Sequence, residues 1–155
     1  MLLSASLSTA DPVVWNSRNG LEKWRAKANV KVVCDEDVLK LTDIGRDPQV
    51  ISPEIDMDAS AYDNVSITYR GRDIPPSAGQ LFYSHGKEIC CTNTYWRIPP
   101  LTGDGKWHTV TLDSKALLNA NSWFRGGPVK RLRLDPCDAP GGTLEIKEIK
   151  FFKSK

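Results

Sequence analysis

From residue 29 to residue 152 apolar side chains return at every second position, and almost nowhere at every third or fourth. Val30 and Val32 alternate in NVKVVC (29–34), Val65, Ile67 and Tyr69 in NVSITYRG (64–71), and Leu132 and Leu134 in VKRLRLDP (129–136). A period of two puts the apolar set on one face of a strand and the rest on the other. The same reading gives strands over VLKLTD (38–43), QLFYSHG (80–86), WRIPPL (96–101), KWHTVTLD (106–113) and TLEIKEIKFF (143–152). QVISPEIDM (49–57) reads as an edge or bent strand, because Pro53 brings no N–H to a ladder. Only GLEKWR (20–25) and SKALLNA (114–120) offer a turn or two of helix. About eight or nine short strands, with turn signals roughly every 8–12 residues, predict an all-β fold. The expected architecture is an antiparallel β-sandwich with one face of each sheet in the core.

The chain has 155 residues, enough for one domain with a real core. Nothing marks a boundary, so residues 13–155 are read as a single domain behind a flexible N-terminal extension, 1–12. Lysine and arginine number 21 against 19 aspartate and glutamate, and no basic run stands out, so nucleic acid is not an expected partner. No apolar run approaches the roughly 18 residues of a membrane span. The opening MLLSASLSTADP is mildly apolar but has no basic start, which makes it a weak match to a signal peptide. Cys34, Cys90, Cys91 and Cys137 show no C-x-x-C spacing, which argues against zinc. A vicinal Cys90–Cys91 disulfide, a Cys34–Cys137 bridge and free thiols all remain open.

The ordered set GLEKW, NVKVV, VLKLTDIGRDPQVISPEID, AYDNVSITYR, QLFYS, DGKWHTVTLD, a W-x-x-G at Trp123–Gly126, LRLDP and TLEIKEIKF resembles the galactose-binding-like jelly-roll modules attached to many secreted polysaccharide-degrading enzymes. The resemblance runs from about residue 13 to residue 152. DGKWHTV alone also looks like the opening strand of laminin-G and other concanavalin-like sandwiches. LRLDP and the Trp-Gly segment favour the jelly roll. The resemblance implies a glycan-binding module within a larger secreted or cell-surface protein. It also implies a structural calcium ion on the rim, for which Asp11, Asp35, Asp37 and Asp56 are the candidate ligands. Asp47 and Asp135, each before a proline, serve either as turn formers or as carboxylates that accept from a sugar hydroxyl.

The candidate ligand-binding residues divide between a strand face and a loop. Leu132 and Leu134 must face the core, which sends Arg131, Arg133 and Asp135 to the other side, with the two arginines about 7 Å apart along the strand. A guanidinium fork suits vicinal hydroxyls or a sugar carboxylate. Arg70 and Thr68 are expected to join them if their strand is a neighbour. Tyr95 and Trp96, followed by Arg97, form a loop-borne aromatic pair suited to stacking on a pyranose. Tyr83, His85 and Lys87 line the same end. Trp24 and Trp107 are expected in the core and Trp123 at its edge. The leading reading is a non-catalytic carbohydrate-binding module. The alternatives are a structural or adhesion sandwich that binds protein, and, less favoured, a small polysaccharide lyase built on Tyr83, His85 and Arg97. No nucleophile elbow, P-loop or H-E-x-x-H occurs.

Overall fold

A computed structural model of the chain describes residues 10–88 and 93–155. Twelve strands run through these residues in chain order: β1 (Val13–Trp15), β2 (Arg25–Ala28), β3 (Lys31–Asp35), β4 (Val38–Thr42), β5 (Gln49–Ile51), β6 (Asn64–Arg72), β7 (Gly79–Ser84), β8 (Tyr95–Ile98), β9 (Asp104–Asp113), β10 (Leu117–Leu118), β11 (Arg131–Asp135) and β12 (Thr143–Phe152). They form two antiparallel six-stranded sheets. The first has the order β3-β4-β12-β6-β9, with β1 also paired to β12; the second has the order β10-β8-β7-β11-β5-β2. A short helix, α1 (Ala120–Arg125), and three single 3-10 turns complete the described elements.

The all-β antiparallel sandwich expected from the alternation is what forms. The strand count is higher than expected because β1, β2 and β10 were not legible. They are two to four residues long, and β2 (RAKA) carries no apolar alternation, its first three residues being exposed. β5 is also not an edge: it lies between β11 and β2 and stops at Ile51. Past Pro53 the chain keeps its partner. Ile55 N–H donates to the Lys130 carbonyl at 2.8 Å, and Met57 bridges Val129. Of the two helix candidates, 20–25 holds only a 3-10 turn at Leu21–Lys23. In the other the turn covers Ser114–Ala116, and the true helix starts later, at Ala120.

The core is aromatic at one end and aliphatic along its length. Trp24, Trp96, Trp123, Tyr83 and Phe151 are fully buried with Leu39, Leu41, Leu81, Leu132 and Leu134. Trp107 is not in this core: it is 38% exposed on the outer face of the first sheet, where the Arg70 guanidinium lies 4.7 Å from its ring centroid. Cys34 is exposed and Cys137 buried, both as free thiols, so the bridge between them does not form. Cys90 and Cys91 lie outside the described residues.

Near the C-terminus Asp63 clamps the end of β12's extension. It accepts from the Ser154 N–H at 2.7 Å, the Ser154 hydroxyl at 2.6 Å and the Asn64 amide at 2.6 Å, with Lys153 Nζ at 3.7 Å. Burial works against its ionisation, but these donors and the Lys153 charge prevail and bring it down to about 2. A carboxyl held below its unfolded value of about 3.9 adds stability above that value and loses it as pH falls toward the folded one. Melting temperature should therefore drop between about pH 4 and pH 2, and Asp63→Asn should flatten that part of the curve. An unchanged slope in the variant would remove Asp63 from the account. Leu134→Ala should destabilise the fold by about 2–5 kcal/mol through a cavity, read by denaturant titration.

Candidate functional site

β11 is an inner strand of the second sheet, paired to β7 along one edge and to β5 along the other. Leu132 and Leu134 point inward as expected. On the outer face the strand registers align one side chain from each strand. Leu118 opposes Tyr95, Tyr95 opposes Phe82, Phe82 opposes Arg133, Arg133 opposes Ile51, and Ile51 opposes Arg25. This single rung crosses all six strands, about 24 Å at the usual strand spacing. Beside it runs a second, shorter rung, Arg97–Gln80–Asp135. Tyr95 and Phe82 stand with ring centroids 5.1 Å apart, and Tyr95 is half-buried.

Arg133 and Asp135 are not a solvated face. They are 3% and 2% exposed. Arg133 donates through Nε to Asp135 Oδ1 at 2.8 Å and through Nη2 to Oδ2 at 2.9 Å, and its guanidinium lies 4.3 Å from the Phe82 ring centroid. Bidentate geometry plus stacking fixes the plane of the fork. Burial pushes the Asp135 carboxyl up to about 7. The Arg133 bonds and charge oppose that rise, and the neighbouring Asp47 carboxyl adds to it. Gln49 donates to Asp47 at 3.0 Å, tying the Asp47 turn to β5. Asp47 itself sits at φ 50°, a left-handed position that aspartate tolerates better than most residues. Gly79 lets β7 approach the end of β11: a Cβ there would fall 2.5 Å from the Asp135 carbonyl oxygen.

Arg131 behaves differently. It is half-buried and spends Nε on the Lys87 carbonyl at 3.1 Å and Nη1 on the Ser52 carbonyl at 2.9 Å. Two shallow depressions flank it. One, of about 420 Å³, is lined by Lys23, Arg25, Ile51, Ser52, Pro53 and Arg131. The other, of about 320 Å³, is lined by Lys27, Ile51, Lys87, Glu88 and Arg131.

Several expected site residues lie elsewhere. Arg70 and Thr68 are on β6, in the first sheet, so they face the opposite side of the sandwich from β11. Arg70 is bonded to Glu145 at 2.7 Å, and Thr68 to Thr109 at 3.0 Å. Trp96 is 0% exposed and points inward, which leaves Tyr95 and Arg97 on the outer face. Tyr83 is also inward, its hydroxyl donating to the Asn119 carbonyl at 3.1 Å. His85 is held at the sandwich end between the Pro128 carbonyl (Nδ1, 3.1 Å) and the Ser122 hydroxyl (Nε2, 3.2 Å). The carbonyl only accepts, so Nδ1 carries the proton. Tyr83 and His85 therefore share an end of the core while Arg97 lies on the outer face, and the lyase grouping is not assembled. Among the described residues no three His, Cys, Asp or Glu side chains converge on a common point. Of the four candidate calcium ligands, Asp56 is paired with Lys130 at 2.7 Å, Asp35 and Asp37 are exposed around the β3–β4 turn, and Asp11 contributes its carbonyl to the Tyr62 hydroxyl. Phe82, Ile51, Arg25 and Gln80 complete the face and were missed from sequence.

The sequence matches no family model and no curated protein. Solved structures do match. A family 11 carbohydrate-binding module from Clostridium thermocellum, in complex with a β-1,3-1,4-mixed-linked tetrasaccharide, superposes with a TM-score of 0.64 at 12% identity, over 95% of this chain and 98% of that one. A family 29 module variant gives 0.60 at 9% identity, over 92% and 91%. The C-terminal family 6 module of the laminarinase LamC from Zobellia galactanivorans gives 0.55 at 16% identity, over 92% and 100%. The fold is that of carbohydrate-binding modules.

The buried fork yields a prediction. Arg133→Ala strands the Asp135 carboxyl in a dry site, so it should destabilise the fold by about 3–5 kcal/mol. Arg131→Ala, which loses bonds to two carbonyls on a half-exposed side chain, should cost about 1 kcal/mol or somewhat more. Paired urea titrations decide the order; equal, small losses would mean that the fork is not buried in solution.

Proposed function

We propose that this chain is a non-catalytic carbohydrate-binding module that holds a larger secreted or surface protein against a polysaccharide. The observation that carries the reading is the outer rung of the second sheet. A half-buried Tyr95 leaning on Phe82, a guanidinium locked flat by a carboxylate, an aliphatic floor at Ile51 and an arginine at the margin lie in one row on one face. Such a row suits a sugar chain. The apolar CH face of a pyranose stacks on Tyr95. Gln80 and Arg97 on the next rung offer an amide and a fork to equatorial hydroxyls. The Arg133–Asp135 pair keeps the Phe82–Tyr95 platform in place without having to move on binding, so little ordering entropy is lost. The mixed-linkage glucan tetrasaccharide bound by the family 11 module supplies the class of ligand for this proposal.

The function of such a module is to raise local concentration: tethering a domain to a polymer makes its encounters with that polymer intramolecular. The face is open, so affinity is expected to be modest and to rest on few contacts.

The test is affinity gel electrophoresis over a panel of soluble polysaccharides. Tyr95→Ala should weaken retention by about tenfold or more if the ring is an anchor, while Trp107→Ala on the opposite sheet should leave retention unchanged. Retention lost with Trp107 and kept without Tyr95 would move the site to the first sheet. A product absorbing in the ultraviolet on incubation with polyuronate would replace the module with a lyase. No retention on any glycan would end the reading.

A further inference from the structure

The two depressions beside Arg131 share Ile51 as floor and Arg131 as divider, and so form one trough along β2, β5 and β11. Five cations line it: Lys23, Arg25, Lys27, Lys87 and Arg131. Lys87 pairs with Glu54, and none of the other four makes an ion pair among the described residues. Elsewhere the cations that approach a carboxylate are used: Arg70 by Glu145, Lys130 by Asp56 and Arg133 by Asp135. The acidic groups near the trough are few. Glu88 lines one depression, and Glu54 stands 3.9 Å from Lys87. The carboxylates Asp47 and Asp135 lie toward the other end of β11, which is about 13 Å long.

We infer that the trough takes an acidic glycan, one that bears carboxylate or sulfate groups on successive sugars. The inference rests on the carbohydrate-binding reading above and adds the ligand's charge. Like charges gathered on low-dielectric walls raise the local concentration of an anionic polymer. Arg25 can grip a planar carboxylate or a sulfate with its fork, Arg131, whose Nε and Nη1 already bond carbonyls, adds its fixed charge, and Lys23 and Lys27 act as mobile point charges. The Ile51 floor gives the sugar ring an apolar contact between them. A neutral glycan could use the Tyr95 end of the face but would leave the charge of Lys23, Arg25, Lys27 and Arg131 unmatched.

The experiment measures retention by affinity electrophoresis and binding by isothermal titration calorimetry, using polygalacturonate, a carrageenan and a neutral mixed-linkage β-glucan. Acidic polymer should bind more tightly than neutral, and the advantage should shrink as salt is raised from about 50 mM to about 500 mM, where screening shortens to a few ångströms. The double variant Arg25→Glu/Lys27→Glu should lose acidic-polymer binding by about tenfold or more while its Tm holds, since both side chains are exposed. Preference for polygalacturonate over carrageenan, or the reverse, identifies the anionic group. Neutral glucan bound at least as tightly, with no salt dependence, overturns the inference and leaves the module reading intact. Equal affinity for a single-stranded oligonucleotide overturns it as well, since the trough would then read charge and not sugar. Failure of acidic and neutral polymers alike ends both.

Discussion

A chain of aromatic rings ties the two sheets together, and most of what the outer faces can do follows from it. Trp24 meets Trp15 at 5.7 Å, Trp15 meets Phe151 at 6.0 Å, Phe151 stacks on Trp123 at 5.5 Å, and Trp123 stands edge-on to Trp96 at 5.1 Å and Tyr83 at 4.9 Å. Trp15 and Phe151 belong to the first sheet, Tyr83 and Trp96 to the second. Trp123, delivered by α1, closes the space between them, and its indole N–H donates to the Tyr62 carbonyl at 2.8 Å. Edge-to-face pairs at such distances add about 0.5–1.5 kcal/mol each beyond their buried area. Four of the five tryptophans are consumed here. What faces outward on β7 and β8 is thereby decided: with Tyr83 and Trp96 inward, Phe82 and Tyr95 must be outward.

That parity explains why the outer face needs an ion pair. Phe82 is 7% exposed although it lies on the outer side of a sheet. Arg133 covers it, and Asp135 holds Arg133. A free arginine over a ring would sample many rotamers, but a guanidinium forked by a carboxylate has one plane. The cost is two desolvated charges, which the bidentate bonds only partly offset. Such an arrangement is a poor way to gain stability and a good way to make a flat, rigid platform. Asp47 places a second carboxyl beside Asp135, and Gly79 lets β7 approach the Asp135 main chain closely.

The fold was legible because alternation is local: β12 was read from sequence as 143–152, the range it occupies, and β6, β9 and β11 within a few residues. The site was only partly legible, for two physical reasons. Strand neighbours are not encoded in the period. Arg70 and Arg131 each alternate correctly on their own strands, yet those strands lie in different sheets and the two side chains face opposite solvents. The second reason is a misread phase where a signal was present. In YWRI, Trp96 and Ile98 are the apolar pair at spacing two, so Trp96 goes inward and Tyr95 and Arg97 outward. In KWHTVTL, the phase of Val110 and Leu112 extends to His108, which packs on Tyr69 at 5.8 Å, and expels Trp107. Phe82 carried the weakest signal. Leu81-Phe82-Tyr83 is apolar at three consecutive positions, the mark of a strand covered on both faces, and the cover is a charged residue from another strand.

The outer face of the second sheet is polar in both senses of the word. At one end of β11 the Asp47 carboxyl stands close enough to Asp135 to add to the rise of the Asp135 carboxyl. At the other end, Arg131 stands between two depressions bordered by Lys23, Arg25, Lys27 and Lys87. Tyr95 and Phe82 lie across the sheet from both, on β8 and β7. A polymer that crosses the strands along the main rung meets stacking, then the fixed fork, then the aliphatic floor, then Arg25. One that turns along β2 and β5 meets positive charge instead. The two paths cross at Ile51, the side chain common to the rung and to both depressions. Arg133 is held by Asp135 and offers little charge to a ligand, so the balance between the paths is set by Arg131 and the β2 cations. On the acidic-glycan inference, selectivity between neutral and acidic chains would then live in residues that the buried platform supports but does not contain.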